Sequence, residues 1–290
     1  MARARAELII GTSAHYTRGL SFCIHEGCAI IGPALLRTAV LVLFYVLVIV
    51  VVTPVILFCV LFGLRDPLIA IGLWTMRVSR RVLGITVEAS GIEKIAPGTP
   101  YVFMPNHGSF IDGPLVMVLI PGVARVILKQ SVLRLPIAGM AMRYVGFVPV
   151  DRKGAEGGKK SIARAASLMR TRGYSYLIFP EGTRSRDGRL GPFRRGGFFL
   201  ALESGAPIVP VTIRGTRELM PKKQWYARRG TVGVVFHDPI PVAGYAPETM
   251  GDLMAKVRSA ILAVEDRGPG PEKPATTARV EAGGDRERKG

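Results

Sequence analysis

Cysteine is scarce in this chain: three in 290 residues, at Cys23, Cys28 and Cys59. An odd count without framework spacing excludes a disulfide scaffold. Cys23, His25 and Cys28 lie close together, but no second ligand pair follows. The segment therefore reads as an N-terminal helix rather than a structural zinc site. Acidic residues are also short, 21 Asp and Glu against 39 Lys and Arg, for a net charge of +18. The imbalance is local. Gly122 to Gly230 holds 22 basic and 6 acidic residues, which is +16. A field of that sign draws anionic surfaces and ligands. The candidate partners are nucleic acid or an anionic membrane leaflet with phosphorylated substrates. Between Thr38 and Leu64 charge is missing altogether. That run exceeds the roughly 20 residues that cross a bilayer core, and it favours the membrane. It starts too late for a secretory signal, and the chain has no internal repeat.

Hydrophobic residues make up 49% of the sequence, with the excess concentrated in that uncharged run. The organisation read from composition has four parts. Residues 1–37 are a polar lead containing Arg3, Arg5, Arg18 and Arg37, and 38–81 anchor the chain in a membrane. Residues 82–264 read as a globular domain. Residues 265–290, rich in Gly, Pro and charge, are a disordered tail. Pro54 interrupts the apolar run, and Arg65-Asp66 separates it from a second apolar piece, Pro67 to Met76. Two membrane geometries fit. One is a single span; the other is a helical hairpin turning near Pro54 or near Arg65-Asp66-Pro67. Basic residues flank both sides, so the loop-charge rule leaves orientation open. The alternative to either is a buried core helix.

From Val82 onward short apolar runs alternate with helical patterns. Strands are predicted at Val82–Ala89, Tyr101–Met104, Val123–Leu128, Phe147–Val150, Tyr174–Phe179, Pro207–Ile213 and Val232–His237. Helices are predicted at Pro114–Ile120, Pro136–Tyr144, Gly158–Arg172, Gly196–Glu203 and Pro247–Val264. This alternation argues an α/β fold: a layered mixed sheet with flanking helices, preceded by an N-terminal membrane helix or helical hairpin.

Two segments carry chemistry. In Asn106-His107-Gly108-Ser109-Phe110-Ile111-Asp112 a histidine precedes a carboxylate by five residues. On an ideal helix five residues turn about 500°, leaving the two side chains roughly 140° apart. The pair therefore needs a loop-to-helix junction, with His107 in the bend and Asp112 near the helix start. There the carboxylate orients one ring nitrogen and the other accepts a proton from an attacking hydroxyl. No Ser or Cys nucleophile is placed for a covalent step. The second segment, Phe179-Pro180-Glu181-Gly182-Thr183-Arg184-Ser185, follows a strand and enters a loop. Arg184 can grip a phosphate through its planar fork, and the Gly182 and Thr183 amides add donors. Backbone amides of the His107 or Gly182 loops are the expected donors to a tetrahedral oxyanion. Lys129, after a strand, is a further candidate for the phosphate pocket, the alternative being a plain surface lysine.

These blocks, with Gly146-Phe147-Val148-Pro149-Val150-Asp151-Arg152 and Pro207-Ile208-Val209-Pro210-Val211, resemble the four ordered blocks of the lysophosphatidic acid acyltransferase family. The likeness covers roughly Tyr101 to Ile213. It implies that His107 is the base and Asp112 its partner. Arg152, Glu181, Gly182, Thr183 and Arg184 resemble the family's acceptor-phosphate region, and Pro210 its fourth block. The chain departs in the lead of the second block. It also has Phe193-Arg194-Arg195-Gly196 where the family commonly carries a lysine-rich turn.

The implied activity is that of a 1-acylglycerol-3-phosphate O-acyltransferase of phospholipid synthesis. A fatty acyl group passes from acyl-CoA or acyl carrier protein to the free hydroxyl of lysophosphatidic acid, without metal or cofactor. The implied partners are the lysophospholipid, the thioester donor and an anionic membrane, not nucleic acid. The implied location is the cell inner membrane, with the catalytic domain on the cytoplasmic face. Lys222, Lys223, Arg228 and Arg229 around Trp225 and Tyr226 read as a headgroup interface on the same grounds. Two alternatives stand beside this reading: another acceptor, such as lyso-ornithine lipid, tuned by Glu218 to Gly230, or a non-enzymatic membrane-anchored basic binding protein.

Overall fold

The computed structural model describes residues 2–122, 124–135, 137–150, 155–185, 187–222 and 224–265. Of the sequence expectations, Arg152, Lys223 and the tail from 266 lie outside the described residues.

The chain opens with helix α1 (Ala2–Leu61), which runs through both Pro33 and Pro54. Of the two turns expected, the one near Arg65-Asp66-Pro67 is present and the one near Pro54 is not: the chain turns at Phe62–Arg65, where Leu64 N–H returns to the Cys59 carbonyl at 2.8 Å. Helix α2 (Asp66–Leu83) begins with an acidic residue and a proline and ends on Arg80 and Arg81. Those are the end residues that suit helix geometry and the helix dipole. The second apolar piece, Pro67 to Met76, is the first part of α2. The two helices pack side by side. Ile56 and Cys59 meet Leu68 and Ile69 in one cluster, and the Ser79 hydroxyl bonds the Tyr45 hydroxyl at 2.9 Å. That cluster extends to Val145, Ala141 and Tyr144, so the hairpin lies against the α/β domain. Its outer side is bare, with Leu43 70% and Leu61 79% exposed. A buried core helix is thereby excluded for this segment.

Seven strands follow: β1 (Ile85–Ser90), β2 (Val102–Pro105), β3 (Ala124–Lys129), β4 (Val148–Val150), β5 (Ser175–Leu177), β6 (Ile208–Arg214) and β7 (Gly230–Phe236). Their order in the sheet is β1-β7-β6-β2-β5-β3-β4. Strands β2 to β6 run parallel to one another, β7 is antiparallel to β6, and β1 is parallel to β7. The expected mixed sheet is therefore present. β2 and all but the last residue of β6 are buried, as a continuous apolar run in a parallel sheet requires.

The helices are α3 (Asp112–Leu119), α4 (Ala138–Tyr144), α5 (Ala155–Arg172), α6 (Gly196–Ser204), α7 (Thr216–Leu219) and α8 (Met250–Glu265). One face of the sheet, bearing Phe103, Val126, Leu177 and Val209, packs on Leu83 of α2 and on Leu115 and Val116 of α3. The other, bearing Val102, Met104, Tyr176 and Ile208, packs on α5, α6 and α8 through Ala165, Met169, Phe198, Leu253, Val257 and Ile261. Alternate strand residues serve opposite cores, as the period-2 pleat dictates. His107, Lys129 and the 179–185 loop all follow the carboxyl ends of parallel strands, the edge where open α/β sheets bind ligands.

Candidate active site

His107 leaves the end of β2 in an irregular bend, and Asp112 is the first residue of α3. The bend lets two side chains meet that a helix would separate. His107 Nδ1 lies 2.9 Å from Asp112 Oδ2. The same oxygen accepts the Gly108 and Ser109 N–H groups at 2.9 and 2.7 Å. Asp112 is fully buried, and its Oδ1 has no partner among the described residues. An ionised carboxylate only accepts, so the shared ring proton belongs on Nδ1 and Nε2 is left as the acceptor. The ring plane is set by Phe179, stacked on it with centroids 3.8 Å apart and planes 20° from parallel.

The loop after β5 reaches the same place because β2 and β5 are neighbours. Ser185 N–H donates to the His107 carbonyl at 2.8 Å, which brings Arg184 beside the histidine loop. The Arg184 guanidinium has no hydrogen-bond or ion-pair partner among the described residues. Lys222 Nζ donates to the Arg184 carbonyl at 3.1 Å, holding the backbone while leaving the fork unspent. Gly182 sits at φ 70°, and a Cβ there would lie 2.8 Å from Arg194 Cδ. The left-handed φ favours glycine, and a side chain there would also push the Arg194 side chain aside.

Glu181 does something the sequence did not suggest. It is buried; Oε1 accepts His107 N–H and Oε2 accepts Gly191 N–H, each at 2.8 Å. Burial pushes its carboxyl above the usual range, and those two N–H groups pull it back. With both oxygens engaged, Glu181 ties two loops together and does not point at an anion. The oxyanion donors expected from the sequence are largely spent as well. The amides of His107, Gly108 and Ser109 bond carboxylates, and Gly182 N–H bonds the Phe179 carbonyl. Between Glu181 and Arg184, the N–H groups of Glu181, Thr183 and Arg184 have no acceptor among the described residues.

Lys129 is exposed at the end of β3, with no partner among the described residues. It is two strands from β2, or about 10 Å at ordinary strand spacing. Thus His107, Asp112, Glu181, Gly182, Thr183 and Arg184 come together, and Lys129 stands farther along the same edge. Sequence reasoning missed Phe179 as the stacking partner and Asn106 as a brace, its side chain pairing with the Ile213 backbone at 3.0 and 2.7 Å. It also missed Ser109, whose hydroxyl donates to the Met220 carbonyl at 2.8 Å.

Residues 86–214, which carry this histidine–carboxylate pair and the arginine loop, match the family described as Acyltransferase. The chloroplastic 1-acyl-sn-glycerol-3-phosphate acyltransferase BAT2 of Brassica napus is 37% identical over 156 residues, 53% of this chain and 44% of that protein. The 1-acyl-sn-glycerol-3-phosphate acyltransferase alpha of Homo sapiens is 33% identical over 181 residues, 62% of this chain and 64% of that protein. The chain thus spans about half to two thirds of those relatives. In fold it is similar to the crystal structure of the 1-acyl-sn-glycerophosphate acyltransferase PlsC of Thermotoga maritima. The TM-score is 0.66 at 23% identity, covering 80% of this chain and 96% of that one. Over that region the chain is similar to the 1-acyl-sn-glycerol-3-phosphate acyltransferases.

Proposed function

We propose that this chain is a 1-acylglycerol-3-phosphate O-acyltransferase. It moves a fatty acyl group from acyl-CoA or acyl carrier protein to the free hydroxyl of lysophosphatidic acid, giving phosphatidic acid. The observation that carries the reading is the 2.9 Å His107–Asp112 pair. The buried carboxylate fixes the ring, and Nε2 is free to take the acceptor's proton.

The hydroxyl oxygen, as its proton passes to Nε2, attacks the thioester carbonyl. The tetrahedral intermediate collapses, the C–S bond breaks, and the imidazolium returns its proton to the departing thiolate. Asp112 stabilises the imidazolium. Arg184, with the Thr183 and Arg184 amides, holds the acceptor phosphate, and Gly182 allows the loop its shape. Arg152 and Lys129 are assigned to the same phosphate region, and Glu181 serves it by positioning. No metal or cofactor enters this scheme.

The assigned organisation is a lead at 1–37, a membrane anchor at 38–81, the acyltransferase domain at 82–264 and a charged tail at 265–290. The anchor reading draws on Gly32–Leu61, which is long and apolar enough to cross a membrane, and on the exposed outer side of the hairpin. The location is the inner membrane with the domain on its cytoplasmic face, where an anionic leaflet and not nucleic acid meets the basic surface. The test offers full-length protein in detergent lysophosphatidic acid or lyso-ornithine lipid, with labelled acyl-CoA or acyl carrier protein. Labelled phosphatidic acid is expected. Acylation of lyso-ornithine lipid alone would replace the acceptor, and no transfer from either donor would refute the activity.

A further inference from the structure

Arg258, on α8, lies beyond the matched acyltransferase region and beyond every motif read from the sequence. Its guanidinium grips two successive carbonyls. Nη1 donates to Gly191 O at 2.6 Å and Nη2 to Leu190 O at 2.8 Å, and the fork lies near the Phe193 ring. Leu190 is itself buried in the core shared by α5, α6 and α8. The next link is the Gly191 N–H, which donates to Glu181 Oε2. The last is Glu181 Oε1, which accepts the N–H of His107. An unbroken series of short hydrogen bonds thus runs from the C-terminal helix to the backbone of the histidine. A Cβ on Gly191 would come within 3.0 Å of Glu181 Oε2, so the loop sits as close to the carboxylate as glycine allows.

We propose that Arg258 is a positioning residue for His107, acting through the Leu190–Gly191 backbone and the Glu181 carboxylate. This rests on reading His107 as the general base. The peptide at Gly191 is held from both sides, its carbonyl by Arg258 and its N–H by Glu181. Without Arg258 the loop loses its hydrogen bonds to α8 and keeps only the packing of Leu190, and the Gly191 N–H no longer has a fixed direction. Glu181, buried and engaged by its two N–H donors, then has less reason to hold the His107 amide in register. A misplacement of the order of 1 Å at a reacting group costs about 100-fold in rate.

The test compares full-length wild type with Arg258→Met, Arg258→Lys, Glu181→Gln and the Arg258→Met/Glu181→Gln double variant. Arg170→Met is the control, since that arginine clasps a surface carbonyl of Glu203. Arg258→Met should lower kcat about 10- to 100-fold and leave the acceptor KM unchanged. Arg258→Lys, which keeps charge and stem but not the fork, should fall between. In the Glu181→Gln background the Arg258 substitution should add little, because both act on one path. Hydrogen exchange should quicken at the His107 and Gly191 amides and stay unchanged in β2 and β6. Arg170→Met should match wild type throughout.

Wild-type kcat in Arg258→Met, full additivity in the double variant, or faster exchange across the whole sheet would each overturn the proposal. If Arg258→Met fails to fold, Arg258→Lys decides, and wild-type behaviour there is the contrary result. If wild type transfers no acyl group to lysophosphatidic acid, the acceptor assignment fails, and the exchange measurement judges Arg258 by itself.

Discussion

Asp112 shows how much one side chain is asked to do here. Its Oδ2 receives the histidine ring and two backbone amides, so the carboxylate both folds the bend and orients the base. Asp112→Asn preserves the shape but cannot stabilise an imidazolium, and should cost about 100-fold or more in kcat. A variant retaining half the wild-type rate would remove Asp112 from the mechanism. Arg184→Ala should raise the acceptor KM about tenfold or more, the worth of a charge-assisted hydrogen bond, with the donor KM little changed. Arg184→Lys should recover only part, because an ammonium cannot grip two phosphate oxygens as a fork. Equal weakening of both substrates would make Arg184 structural. His107, Asp112 and Arg184 were legible in the sequence because their neighbours are local glycines and a strand end. Glu181 as a tie and Phe179 as the stacking ring were not. Both depend on β2 and β5 being adjacent, a contact across more than 70 residues that no local pattern encodes.

Among the elements, the strands were read well because parallel, doubly buried strands are plain apolar runs, as in Ile208 to Ile213. Ends were read less well. Val82 and Leu83 belong to α2 rather than to the first strand, because Gly84 caps that helix on Arg80 and Arg81. The four-residue α7 is too short to show a period. The contact between α8 and β6 was also invisible. Thr212 Oγ1 donates to Ile261 O at 3.1 Å and accepts from His237 Nε2 at 2.8 Å. Burial, and secondarily Lys94, holds His237 below the usual histidine range. Its neutral form is the one the fold prefers, so the unfolded chain takes up the proton first as pH falls. The stability contributed is complete above about pH 6.5, the ordinary histidine value, and is lost as pH drops toward the folded value. Thermal stability should therefore decline between neutral pH and pH 5, and His237→Gln should flatten that slope. An unchanged slope would show that the clamp does not titrate.

At the scale of the molecule, two features meet: an α/β domain of strongly positive charge and a hairpin whose outer side is bare hydrocarbon. An anchor of that kind should keep full-length protein in the membrane fraction through high salt and carbonate. Attraction by charge alone would not, since it is screened within about 10 Å at moderate salt. Release by salt would mean that the basic surface is the whole anchor. The most direct measurement is the formation of phosphatidic acid from lysophosphatidic acid and a labelled acyl thioester by wild type and His107→Ala, at matched amounts of folded, membrane-bound protein. Base catalysis by His107 predicts turnover in wild type and a loss of about 10²- to 10⁴-fold or more in the variant. Phosphatidic acid made by His107→Ala at half the wild-type rate or above would contradict it.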